Sequence, residues 1–195
     1  AGIVPEILDL KYLFIETSSK VYYNTNLAPS ASFVSTKVQR DLTAYAESSE
    51  LNKYGARFKY SRFLKVIDSS HESVTSNITT VEMRRDLRLA ISEVAEYAID
   101  FGNEFHVKSM NGFNLRSSAF RVLNINTDVY LYDVPDLTGE KGQMGIFSLD
   151  EGSSTPIIQR RNVGVIDYKK GRITLDPINI VSGKTKDNVD ILEIS

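Results

Sequence analysis

The sequence predicts an α+β protein, an N-terminal strand-helix-helix-strand unit followed by a β-rich half with antiparallel hairpins. Three observations predict it. Apolar residues recur at helical spacing twice between residues 33 and 67. The period changes to two at Val81. Beyond about Glu93 only short alternating runs remain, separated by Gly, Asn, Asp and Pro. The corresponding division is an α+β domain over 1–92 and a β-rich domain over 93–195.

The first element is a long, largely buried strand over residues 8–23. Leu10, Tyr12 and Phe14 alternate there with Lys11, Leu13 and Ile15, so both faces are partly apolar. Asn24-Thr25-Asn26 and Pro29 break it, and the hydroxyl of Ser30 or Ser32 is placed to cap a helix. Val34, Val38, Leu42 and Tyr45 give that helix one apolar stripe, within residues 33–51. After Gly55, Tyr60, Phe63, Leu64 and Ile67 trace a second helix that ends at Asp68-Ser69-Ser70. From Val81, the side chains of Val81, Met83, Leu87, Leu89 and Ile91 share one strand face. Thr80, Glu82, Arg84, Asp86 and Arg88 share the other, which is expected to be wet.

In the second half, strands are expected at 97–101, 129–132, 143–149 and 163–168, with loops at 136–142 and 150–154. The strongest signal is Val163-Gly164-Val165-Ile166-Asp167-Tyr168, then Lys169-Lys170-Gly171, then Arg172-Ile173-Thr174-Leu175. It reads as a hairpin whose Gly171 supplies a positive φ.

Composition bounds the chemistry. The 195 residues carry 23 Lys plus Arg against 25 Asp plus Glu, a net charge of -2, which offers no general attraction for a polyanion. With no cysteine, disulfides, thiolate metal sites and a Cys nucleophile are excluded. No apolar stretch reaches bilayer length, and no secretory signal pattern opens the chain, so no membrane insertion is expected. The start at Ala1-Gly2-Ile3-Val4-Pro5, without Met, suggests a piece of something longer.

No catalytic, cofactor-binding or metal-binding residue is assigned. His71 and His106 stand without a second ligand at metal-site spacing and read as a loop and a strand histidine. No Gly-x-Ser-x-Gly elbow holds a serine nucleophile. Asp133, Asp136, Glu140, Asp150 and Glu151 are numerous enough to flank a glycosidic bond, but their Gly-rich setting reads as solvated loop. Gly139, Gly142 and Gly145 lack the pattern of a phosphate loop and read as turn glycines. Asn77-Ile78-Thr79 matches a glycosylation sequon by coincidence. Arg84, Arg85 and Arg88, with Tyr97 and Phe101 nearby, raise nucleic-acid stacking. Glu82 and Asp86 on the same face neutralise Arg84 and Arg88, so no nucleic-acid partner is expected, and the inward Arg85 suggests a paired charge at a domain or subunit contact. The remaining signal is 10 Tyr and 9 Phe spread through strands, enough to fill a core and to anchor interfaces.

Phe58-Lys59-Tyr60-Ser61-Arg62-Phe63-Leu64-Lys65-Val66-Ile67-Asp68, with Val74-Thr75-Ser76-Asn77 and Val81-Glu82-Met83, resembles the T4-like bacteriophage baseplate wedge proteins of the baseplate J-like group. Tyr97-Ala98-Ile99-Asp100-Phe101-Gly102-Asn103 and the hairpin at Gly164-Val165-Ile166-Asp167-Tyr168 are similar to later parts of that family. The resemblance implies the C-terminal part of a larger structural virion protein, without cofactor and without enzymatic activity. It also implies a homodimer that joins other wedge subunits in a ring around the tail hub, found in the virion tail baseplate and, during assembly, in the host cytoplasm. Its longer N-terminal region is not in this sequence. Two rivals follow from the residues alone. One is a glycan- or receptor-binding β module of a tail fibre or adhesin with Tyr130 and Tyr132 in an exposed cleft; the other is a glycosidase using the loop carboxylates.

Overall fold

A computed structural model describes residues 12–195. The chain forms two compact units, one over 15–82 and one over 83–195 together with the described residues before Ile15.

The unit at 15–82 holds β1 (Phe14–Tyr23), α1 (Ala31–Ala46), α2 (Tyr60–Asp68) and the first part of β2 (Val74–Arg88). The strands run antiparallel: Thr75 Oγ1 donates to the Tyr22 carbonyl and Thr80 Oγ1 to that of Ser18, while Ser19 and Thr79 join their hydroxyls at 2.8 Å. Ser30 caps α1. Its backbone is extended at φ -165°, and its Oγ accepts from the Phe33 N–H at 3.2 Å, satisfying one of the helix's orphan donors. The core is small: Val34, Val38, Tyr45, Phe63 and Ile67, with Val21, Tyr23 and Leu42 packed at its border. Those are the two helical stripes the spacing predicted.

β1 differs from its expected character. Residues 8–11 lie outside the described part, and none of the ten strand residues is fully buried. Glu16, Ser18, Lys20 and Tyr22 leave its alternate face exposed. β2 begins at Val74, well before the expected Val81, and Thr75, Thr79 and Thr80 tie this early part to β1 through their hydroxyls.

The larger unit is all β. It contains the end of β2, then β3 (Val94–Asp100), β4 (Arg121–Val122), β5 (Tyr130–Pro135), β6 (Lys141–Leu149), β7 (Pro156–Asp167), β8 (Arg172–Ser182), β9 (Lys184–Lys186) and β10 (Val189–Ile194). One sheet has the order β3-β8-β7-β6-β5, with β4 alongside β8. Separately, β10 pairs antiparallel with Arg85–Arg88 of β2 and with β9. The β9–β10 hairpin turns at Asp187 and Asn188, both at positive φ, as a tight hairpin turn requires. Ile146, Ile173, Leu175, Ile180, Leu192 and Ile194 lie at the centre of a core far larger than that of the other unit.

The expected β7–β8 hairpin is present, with Asp167 opposite Arg172. Gly171 has φ +64°, and a Cβ there would lie 1.8 Å from the Asn103 carbonyl oxygen, so both backbone sign and space demand glycine.

Candidate functional site

The charged face of β2 is wet at Thr80, Glu82 and Arg88, as expected, but covered at Arg84 and Asp86. Arg84, Asp86 and Glu193 have side chains only 16%, 14% and 19% exposed. Asp86 and Glu193 sit directly opposite each other on β2 and β10, a like-charge pair that would repel. Arg84 bridges them, bonding Asp86 at 2.8 Å and also Glu193. Lys186 bonds Asp86 at 2.8 Å and Lys184 bonds Glu193 at 2.7 Å, both from β9. The Phe14 ring receives the Arg84 guanidinium at 4.6 Å and the Lys186 ammonium at 4.8 Å. Five charges from three strands thus hold the C-terminal strand in register. The neutralisation of Arg84 by Asp86 was legible from alternation; the share of Glu193, more than a hundred residues away, was not.

Arg85 faces the other way, as alternation predicted, but has no ion-pair partner among the described residues, and its Nε is buried without a hydrogen bond. Asp100 instead bonds Arg172 at 2.7 Å. That bond, then the Gly102 N–H, hold its carboxyl below the ordinary range, with Arg85 adding only a through-space contribution.

The acidic residues divide sharply. Asp133 is fully buried and not a loop carboxylate. It accepts from Asn114 Nδ2 at 2.7 Å, from the Leu115 N–H at 2.9 Å and from the Tyr168 hydroxyl at 2.6 Å. Burial, then this bond, push the Tyr168 hydroxyl well above its ordinary pKa. The signal available was a carboxylate inside the apolar strand run Tyr130-Leu131-Tyr132-Asp133-Val134. Asp136 and Asp150 are exposed turn caps, their carboxyls held low chiefly by the hydroxyls of Thr138 and Ser153. A glycosidase's general acid needs the opposite shift. Glu140 is paired with Lys169 at 2.7 Å, and Glu151 is exposed.

Tyr132 is only 3% exposed, stacked under Phe113 at 5.1 Å, while Phe147 contacts Tyr130, Tyr132 and Phe113 edge-on or tilted. These rings cover one end of the sheet and do not form the open aromatic cleft that a glycan site at Tyr130 and Tyr132 requires. An open depression of about 660 Å³ lies over Val134, Gln143, Val165 and Thr174; Tyr132 reaches its lining but Tyr130 does not. Along its border Lys141, Asp167, Arg172 and Asp100 stand in register across four strands, so neighbouring charges alternate in sign.

Of the three glycines, only Gly139 is a turn glycine, at φ +68°. Gly142 and Gly145 lie inside β6, where a Cβ would meet the Val134 carbonyl at 2.6 Å and the Tyr132 ring at 2.3 Å. His71 Nδ1 bonds within its own loop, to Ser73 Oγ at 2.8 Å. His106 is exposed in an irregular segment, not a strand, because no neighbouring strand pairs there. Among the described residues no group of three or more His, Cys, Asp or Glu is arranged to hold a metal ion, and no helix is long and apolar enough to cross a membrane. Arg84 and its partners form an ion network, and Asp133 and its donors form a buried hydrogen-bond hub.

Residues 11–86 match a family model described as baseplate structural protein gp6, C-terminal domain III. No curated protein matches the chain.

Proposed function

Because residues 11–86 match this family of baseplate structural proteins, we propose that the chain belongs to the T4-like baseplate wedge proteins and is a wedge subunit that builds the baseplate ring of a contractile tail by self-association and by contacts with other wedge subunits. The family match over β1, α1, α2 and most of β2 carries this reading. Members of the family are structural proteins of the tail baseplate. The finer points belong to the proposal: a homodimer, no catalytic, cofactor or metal residue, no nucleic-acid partner, and passage through the host cytoplasm during assembly.

Two features support a mechanical role. The β2–β10–β9 charge network and the Asp133 hub fix strands without leaving a reactive group in a cleft. Exposed large apolar residues, among them Val94 at 69% and Ile157 at 46%, remain for burial against neighbours. A stable self-contact buries at least about 1,000 Å². Light scattering after size exclusion, across a concentration series, is expected to give a mass that rises toward twice that of the chain. A constant single-chain mass at every concentration would remove self-association while leaving the family membership untouched.

A further inference from the structure

The first half of β7 has one open edge. Residues 156–160 and 164–167 run beside β6, separated by an irregular step at 161–163 where Asn162 has φ +57°, but β8 joins β7 only from Gly164 onward. The two strands part for a covalent reason on each side. β7 carries register shifts opposite 144–147 of β6, and such extra residues bend a strand. On β8, Pro177 has no N–H to offer, and Arg160, Arg161, Asp176 and Pro177 line the resulting cleft. Among the described residues no strand pairs with the far side of 156–162, and all seven of these residues are exposed. The extended part of this stretch, 156–160, is a free row of about 16 Å, enough for a strand of about five residues.

The other end of the same sheet is closed. There the Phe113 N–H bonds the Asp133 carbonyl at 3.0 Å and the Leu131 N–H bonds Ser117 Oγ at 2.8 Å, so the β5 edge is covered by the chain itself. Among the described residues the β7 edge has no such cover.

Charge decides what fits it. Arg160 and Arg161 make no ion pair among the described residues, and Asp176 across the cleft is not within pairing distance of either. Were two copies to pair antiparallel about Gln159, four arginines would converge with no carboxylate from the strand Pro156-Ile157-Ile158-Gln159-Arg160-Arg161-Asn162 to offset them. Self-pairing is thus disfavoured, whereas a strand with acidic side chains at alternate positions gains main-chain bonds and charge together.

We propose that the open edge of β7 at residues 156–162 takes up an extended strand from a different subunit, one that presents acidic side chains to Arg160 and Arg161. The identity of that subunit as a baseplate neighbour rests on the assembly reading above; the edge itself does not.

The test uses the purified full chain and amide hydrogen exchange. The probes are an eight-residue peptide alternating valine with glutamate, the same peptide with lysine, and the glutamate peptide N-methylated at alternate amides. The glutamate peptide is expected to slow exchange in 157–162 at least tenfold, while the lysine and N-methylated peptides leave it unchanged. Arg160→Glu combined with Arg161→Glu, both exposed, should transfer the preference to the lysine peptide. Unchanged exchange with millimolar glutamate peptide would overturn the proposal, as would equal slowing by the glutamate and lysine peptides. Slowing that depends on protein concentration without peptide would overturn it in favour of a second copy. The mass series decides self-association separately, so failure of one reading is distinguishable from failure of the other.

Discussion

The two units differ in how they handle a buried phenol, and the difference reflects how each core is built. In the unit at 15–82, Tyr45 lies in the small helical core with its hydroxyl buried and unbonded. In the all-β unit, Tyr168 is equally buried, but its hydroxyl is the third donor to Asp133. Both phenols are raised above their ordinary pKa by burial; Tyr45 is raised further by Glu50 and Tyr168 by its bond to Asp133. A helix face buries whatever its period brings inward, whereas strands converging from distant parts of the chain bring partners with them. The family match falls largely on the first unit.

Three substitutions sharpen the contrast. Ile67, fully buried in a core of five residues, is the largest single contributor to remove: Ile67→Ala should cost about 2 to 5 kcal/mol. Urea unfolding gives the size, and hydrogen exchange should show the loss concentrated in α1 and α2. Equal loss in β6 to β8 would mean the units share one cooperative core. Tyr168→Phe is next. It withdraws a donor from a buried carboxylate and should cost roughly 1.5 to 3 kcal/mol, read from the same urea midpoint.

The same residue predicts a pH dependence. With its native pKa raised, Tyr168 stays protonated in the folded chain while the unfolded chain releases the proton above about pH 10. The unfolded state then binds fewer protons, so this contribution is fully present below pH 10 and falls as pH rises beyond it. Tyr168→Phe should flatten that alkaline decline. Smallest is Tyr45→Phe, which deletes an unbonded hydroxyl and should be neutral or stabilising by up to about 1 kcal/mol in a thermal melt. A clear loss there would show that the hydroxyl has a partner in solution.

Legibility followed range along the chain. The stripes Val34, Val38, Tyr45 and Phe63, Ile67, and the cap at Ser30, are local patterns set by a 3.6-residue period, and they stand where spacing put them. The β7–β8 hairpin was equally legible because Gly171 sits within the element it turns. The pairing of β10 with β2 was not, since nothing within either strand encodes a partner a hundred residues away. For that reason Arg84 read as solvated. Asp133 was missed because Gly-rich neighbours suggested a loop, although its apolar strand context pointed inward. Gly142 and Gly145 look like turn residues in sequence; their role is to leave room for Val134, Tyr168 and Tyr132, which only the packed sheet reveals.

The Asp133 hub also sets a clock. Its three bonds join residues 18, 19 and 35 positions apart. Closing such loops costs entropy before any bond returns it, so contacts of this range assemble after the hairpins have formed. Interactions absent from the folding transition state act mainly on the rate of unfolding. A hub completed after its hairpins is a brake on opening: it lengthens the lifetime of the folded unit more than it speeds its formation.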